Sequence, residues 1–281
     1  MNATVVAGAP SRPVRLRTVF CTCGGLYGAL VLRRLRACAH LEICGIVRSS
    51  RVLEPRFGFL QGAIAQIRRS GLGYALYLWC TTTLADGLCA LSGLGKPARP
   101  GNPAARRLTT RDLNDPEGRA FLAECAPDLL ISSFFNQRLA SETLAVPTLA
   151  CLNIHPSLLP DAKGVDPVFQ ALLHGGPPLG VTVHFMNPEF DAGKILAQKP
   201  VEPRRGASVF ETTALLYRDG AELLTSAVAR VAAGDRGVAQ SGPGTYQSWP
   251  TAAEIAALRC QGGALLRFMD FARLALARLP R

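Results

Sequence analysis

Asn153 and His155 stand two residues apart in the segment CLNIHPSLLPDAKGVDPVFQALLHGGPPLGVTVHFMNPEFDAG, residues 151–193. Residues two apart on a strand share a face, so this amide and this imidazole can converge on one point. Asp191, further along, offers a carboxylate to the same point. An amide donor, an imidazole and a carboxylate together suit proton transfer and oxyanion stabilisation, which makes acyl-type transfer the first hypothesis. The competing explanation is structural, because a histidine beside a proline is commonly a satisfied packing residue. Pro156 and Pro160 turn the chain out of the strand directly after His155, and strand ends are where open α/β sheets bind ligands. The stretch VTVHFM (Val181–Met186) alternates like a second strand and leads into the loop that carries Asp191.

The string NIHPSLLP, then Lys163-Gly164 and Pro167, GVTVHFM, and Asp191-Ala192-Gly193 resemble the folate-dependent formyltransferases. The resemblance is strong over Pro127–Pro200 and weaker back to Arg17. It implies a Rossmann-like domain, 10-formyltetrahydrofolate as formyl donor, and Asn153, His155 and Asp191 as the catalytic trio. By the same resemblance, Phe135, Asn136, Gln137, Arg138 and Leu139, with Glu189 and Phe190, line the folate pocket. The implied reaction is direct attack of an acceptor amine on the formyl carbon. Asn153 and His155 then steady the oxyanion, and Asp191 assists removal of the amine proton. Amino sugars, hydroxylamines and aminoacyl groups are the acceptor classes, and a related one-carbon or carbamoyl transferase is the nearest rival. No metal site is expected.

The elements that must position this trio read as alternating strands and helices. Arg17–Cys23, the Gly24-Gly25 turn, a helix over Tyr27–Ala37 and a strand over Leu41–Val47 form a βαβ start. Gly24 and Gly25 can cradle an acceptor phosphate at the helix N-terminus, or be only a tight turn. Cys23-Gly24-Gly25-Leu26 is not the glycine-serine loop of the purine-pathway formyltransferase, which counts against that acceptor. Asp115–Ala126 reads as a helix, with strands at Arg107–Thr109, Asp128–Phe134, Leu149–His155 and Ile195–Pro200. Ser208/Glu211 and Thr251/Glu254 read as capping boxes, opening helices over Ser208–Val231 and from Thr251 to about Leu279. Ser157, Lys163, Gly164, and the rings of Tyr246 and Trp249 in the loop Gly242–Thr251, are weaker acceptor-site candidates; packing is the other use of such rings. The expected class is α/β, with a Rossmann-like catalytic domain over 17–204 and a helical insertion at about 55–106. A flexible tail (1–16) and a mainly helical C-terminal extension (205–281) flank it. That extension shows no run of five alternating strands, which disfavours tRNA as acceptor.

Composition bounds the partners. Of 281 residues, positions 1–111 carry 16 lysines and arginines against Glu42, Glu54 and Asp86. Such a field attracts a nucleotide-sugar, tRNA or an anionic membrane, unless it is only a solvated surface. Nine cysteines without a C-x-x-C pair point to reduced thiols and a cytoplasmic setting rather than a disulfide framework. The N-terminus lacks the pattern of a signal peptide. Within the apolar insert Arg56–Gly95, the uncharged run Leu72–Ala85 is too short to cross a bilayer. A buried or lid-forming insertion is the expectation, because mostly apolar helices pack within protein. A membrane-surface helix carrying Tyr74, Tyr77 and Trp79, in an enzyme or a non-catalytic binding module, is the alternative.

Overall fold

The computed structural model describes residues 15–54, 56–87, 105–176 and 178–276. The tail before residue 15, the loop residues 96–104 and the chain beyond 276 lie outside the described residues. Seven strands form one sheet in the order β3-β2-β1-β4-β5-β7-β8. β1 (Leu16–Thr22), β2 (Leu41–Ser49), β3 (Arg106–Thr110), β4 (Leu129–Ser133) and β5 (Ala150–His155) run parallel. β7 (Gly180–Phe185) and β8 (Ile195–Pro200) add antiparallel strands at one edge. β4 is buried at every position, as befits a strand covered on both faces. The connection reverses between β1 and β4, and ligands of open α/β sheets bind at such a switch point.

Helices α1 (Gly25–Ala37), α3 (Pro116–Cys125), α4 (Ser141–Leu144) and α5 (Pro167–His174) follow the strand order. Asp115 opens α3 by accepting from the Gly118 amide at 2.6 Å, with Pro116 at the first helical position. The long α6 (Val209–Ala232) lies on the sheet and shares its core with α1. Gly220 lets it come close, since a Cβ there would meet Ile154 Cγ2 of β5 at 2.5 Å. Ser208 caps α6 through the Glu211 amide at 3.0 Å. The expected reciprocal half of that box is absent, because Glu211 instead takes two bonds from Arg204 at 3.2 and 2.8 Å. The Thr251/Glu254 box at the start of α7 (Ala252–Cys260) is complete; α8 (Asp270–Leu276) follows. The loop Gly242–Thr251 contains a strand missed in the sequence: β9 (Tyr246–Gln247) pairs in parallel with β6 (Lys163–Gly164).

The insertion between β2 and β3 is α2 (Phe59–Trp79), kinked at Gly71 where φ is 81°, and continued by a π-turn at Cys80–Leu84. Its inner side meets α5. Tyr74 donates to the Asp166 carboxylate at 2.8 Å, and the Phe169 amide donates to the same side chain at 3.3 Å. Burial pushes the Asp166 carboxyl up to about 6, from an ordinary value of 3.8. The folded state therefore holds that proton more tightly than the unfolded chain. Folding stability falls as pH rises from 3.8 through about 6, by about 3 kcal/mol in all. Asp166→Asn keeps an acceptor for the Phe169 amide, turns an NH2 donor towards the Tyr74 hydroxyl, and removes the buried charge. In urea unfolding, the variant should gain about 2.5 kcal/mol on the wild type between pH 4 and pH 7.5. An equal difference at the two pH values would contradict the assignment.

Candidate active site

Asn153 and His155 lie at the carboxyl end of β5, and the antiparallel pairing with β7 sets Asn153 opposite His184. The Asn153 side-chain nitrogen bonds His184 Nε2 at 3.1 Å, while His184 Nδ1 bonds the Phe185 carbonyl at 2.8 Å. A carbonyl only accepts, so Nδ1 carries the proton and Nε2 is the acceptor. His184 thus fixes the orientation of the Asn153 amide and leaves its second proton for the cavity that both residues line. His184 stands in the VTVHFM strand, where strand alternation alone reads as packing. It is buried, yet it belongs to the site.

Asp191 reaches both histidines, with Oδ1 at 3.4 Å from His155 Nδ1 and 3.7 Å from His184 Nε2. Its Oδ2 accepts from the Gly164 amide at 2.9 Å. The backbone of Asp191 is left-handed, at φ 52°, a conformation aspartate tolerates better than most residues. Gln240 pins the loop by donating to the carbonyls of Asp191 and Gly193, each at 2.8 Å. Gly193 is required here: a Cβ would stand 1.8 Å from the Phe185 carbonyl oxygen. Burial pushes the Asp191 carboxyl up, but His155, His184 and the Gly164 amide outweigh it and hold the group at about 2. Burial lowers His155 below its ordinary 6.5, against the pull of Asp191. At neutral pH the pair is thus a carboxylate beside a neutral imidazole.

His155 departs from its expected role. Its Nε2 bonds the Ala162 carbonyl at 3.0 Å and therefore carries the proton. The bare Nδ1 faces Asp191, and His155 sits behind that carboxylate rather than in the cavity lining. In this geometry it has no N–H to offer an oxyanion. It is placed to share a proton with Asp191.

The cavity between these loops is small, about 40 Å³, and partly open to solvent. The loop after β4 contributes Phe135, Gln137, Arg138 and Leu139, and the loop after β7 contributes Met186, Asn187, Glu189, Phe190 and Asp191. Arg138 Nε donates to the Pro188 carbonyl and joins the two loops. Two of the expected pocket residues spend their side-chain polar atoms on the protein itself, Gln137 within the lining and Asn136 outside it. Gln137 accepts from the Leu113 amide at 2.7 Å and donates to Ser49 Oγ at 2.9 Å and the Thr110 carbonyl at 3.0 Å. Asn136 is outside the lining, bonded to Ser49 Oγ at 2.6 Å and the Arg51 carbonyl at 2.9 Å.

The acceptor-side candidates separate. Gly164 touches Asp191, whereas Ser157 bonds the Asp161 carbonyl at 3.0 Å and Lys163 the Pro243 carbonyl at 3.2 Å. Tyr246 is exposed against Gly164, and Trp249 packs edge-on to Tyr74 at 6.5 Å. The Gly24-Gly25 turn already holds an anion of the chain's own. The Asp86 carboxylate accepts from the Gly25 amide at 2.6 Å and pairs with Arg48. A Cβ on Gly25 would lie 2.0 Å from the Thr81 carbonyl oxygen, so the π-turn after α2 rests directly on the start of α1.

Comparison with known proteins shows the family. The family profile described as Formyl transferase matches residues 63–228. Methionyl-tRNA formyltransferase of Roseiflexus castenholzii (strain DSM 13941 / HLO8) is 37% identical over 150 residues, covering 51% of this chain and 48% of that protein. The chain therefore spans about half the length of the curated relatives it matches. A sugar N-formyltransferase from Shewanella sp FDAARGOS_354 is similar in fold, with a TM-score of 0.54 and 19% identity over 86% of this chain and 79% of that one. WlaRD, a sugar 3N-formyl transferase solved with dTDP and 5-N-formyl-THF, superposes with a TM-score of 0.50 and 14% identity over 85% of this chain and 70% of that one. The profile match runs from α2 through most of α6 and includes Asn153, His155 and Asp191, and the chain belongs to the formyl transferase family.

Proposed function

We propose that this protein transfers a formyl group from 10-formyltetrahydrofolate to the amine of a small acceptor. The observation that carries this reading is the convergence of Asn153, His184 and Asp191 on one cavity, walled by the loops after β4 and β7. Family membership supports it, as does fold likeness to a sugar formyltransferase solved with 5-N-formyl-THF. The formyl donor enters between those loops, its formyl carbon beside Asn153. As the amine attacks, the carbonyl π-electrons move onto oxygen and the Asn153 amide N–H meets the negative charge. The amine proton passes to Asp191, where the bare Nδ1 of His155 stands ready to share it. Collapse of the tetrahedral adduct breaks the bond to the folate N10, which takes up the proton held between Asp191 and His155, and leaves a formamide and tetrahydrofolate.

Acceptors with an amino sugar on a nucleotide, a hydroxylamine such as hydroxyornithine, and methionyl-tRNA are the classes to try. The fold neighbours favour the first and the curated relatives the last. Donor turnover is followed by the absorbance of tetrahydrofolate as each acceptor is added to the full chain. The expected result is acceptor-dependent turnover with one class, together with a thermal shift produced by 5-formyltetrahydrofolate. The absence of both would sink the reading.

A further inference from the structure

Helix α2 is inside out. The side it turns to the protein carries Gly62, Gln66, Ser70, Tyr74 and Tyr77, all buried. Their polar groups are satisfied inward: Gln66 donates to Ser70 at 2.7 Å, Ser70 to the Pro250 carbonyl at 2.5 Å, and Tyr77 meets the Tyr27 hydroxyl at 3.0 Å. The side it turns outward is apolar. Before the kink, Leu60, Ile64 and Ile67 form an i, i+4, i+7 strip; after it, Leu72, Leu76 and Trp79 form another. Leu60 is 71% exposed, Leu72 59% and Trp79 47%. Water-facing helices of globular proteins carry the reverse pattern, and contiguous exposed apolar area marks a surface that something covers.

Charge indicates what covers it. From Arg56 to Ala85 the sequence has no aspartate or glutamate. Arg68 and Arg69 are exposed along the helix, Arg56 just before it pairs with Glu54 at 2.7 Å, and the Arg259 guanidinium lies over Gly73 from α7. No ion pair engages Arg68, Arg69 or Arg259 among the described residues. Apolar strips with a tryptophan, flanked by guanidinium groups and free of carboxylates, match the headgroup–acyl boundary of an anionic bilayer. There the aliphatic side chains leave water and the arginines meet lipid phosphates. Among the described residues no helix is long and apolar enough to cross a membrane, so contact is peripheral.

We propose that α2 docks this protein on the surface of an anionic phospholipid membrane through these two outward strips and their flanking arginines. The docking helix is also part of the catalytic domain's frame, because its inner Tyr74 bonds Asp166 at the start of α5.

Flotation of the full chain with vesicles tests this. Vesicles of phosphatidylcholine alone are compared with phosphatidylcholine plus phosphatidylglycerol, at low and at high salt. The wild type should float with the anionic vesicles at low salt, and weakly or not at all with the neutral ones. Leu60→Ser/Ile64→Ser/Ile67→Ser should cut the floated fraction by more than about tenfold, because the apolar strip supplies insertion. Arg68→Glu, a single exposed change, should cut affinity by about fivefold or more. Circular dichroism confirms that each variant is folded. Wild-type protein that fails to float with the anionic vesicles at low salt, or a triple variant that floats as the wild type does, overturns the proposal. So does a wild-type dimer that the triple variant loses, which would assign the strips to a second copy of the chain.

Discussion

Asn153→Ala is expected to lower kcat for formyl transfer by about 100- to 1,000-fold, with a much smaller change in KM for the donor. The amide sits where charge develops, and its orientation is set before substrate arrives by the 3.1 Å bond to His184. A donor fixed in advance needs no reorganisation as the carbonyl oxygen becomes negative. Its removal therefore falls on the transition state rather than on ground-state binding. Alanine leaves the strand register of β5 intact, and the variant should melt near the wild-type temperature. His184→Ala offers a graded control: Asn153 keeps its amide but loses its anchor, so kcat should fall less than in Asn153→Ala. Single-turnover kinetics with the identified acceptor reads both. Near wild-type kcat in a folded Asn153→Ala protein would remove the residue from the mechanism.

Asp191→Asn is expected to lower kcat by about 100- to 10,000-fold, the range for loss of a positioned proton acceptor. Asparagine still accepts from the Gly164 amide, so the loop is preserved while the charge is lost. The pH dependence adds a second readout. Asp191, held at about 2, remains ionised throughout the working range and draws no limb of its own. His155 must be neutral to share the proton, and burial sets its value below 6.5. Activity of the wild type should therefore be lost on acidification below 6.5, not above it. Removing the carboxylate removes the influence that raises His155, so the acid limb of the residual activity should move to lower pH. An acid limb at or above 6.5 in the wild type, or a shift of the limb to higher pH in the variant, would contradict the arrangement.

The sequence showed those parts of the site that depend on short-range geometry. Asn153 and His155 share a face because strand periodicity is two, and Pro156 ends the strand. Asp191 was marked by the loop that follows VTVHFM and by the family resemblance of Asp191-Ala192-Gly193; the contact of Gly193 with the Phe185 carbonyl gives the glycine its physical reason. What escaped depends on pairing across the sheet. His184 joins the site only because β7 runs antiparallel to β5 in a register that sets it against Asn153. The alternation of VTVHFM was visible, but the identity of its neighbour was not. Gln137 looked like a ligand-facing amide until the sheet brought Leu113, Ser49 and Thr110 to all its polar atoms. The outward turn of α2 escaped for a different reason. A period of 3.6 identifies an apolar side but not whether that side faces inward, and here the polar residues won the interior by bonding Pro250, Asp166 and Tyr27.

Asp86 has a consequence for any anionic acceptor. Its carboxylate occupies the amide at the head of α1 and is delivered there by the same chain, 61 positions after Gly25. It acts as a tethered competitor, and tethering gives a group an effective concentration in the millimolar range or above. A phosphate-bearing substrate that approached α1 would therefore compete with a ligand that never dissociates from the protein. Its measured affinity would be the intrinsic one reduced by the fraction of time Asp86 is absent. Arg48, already paired with Asp86, would be released to the newcomer in the same exchange.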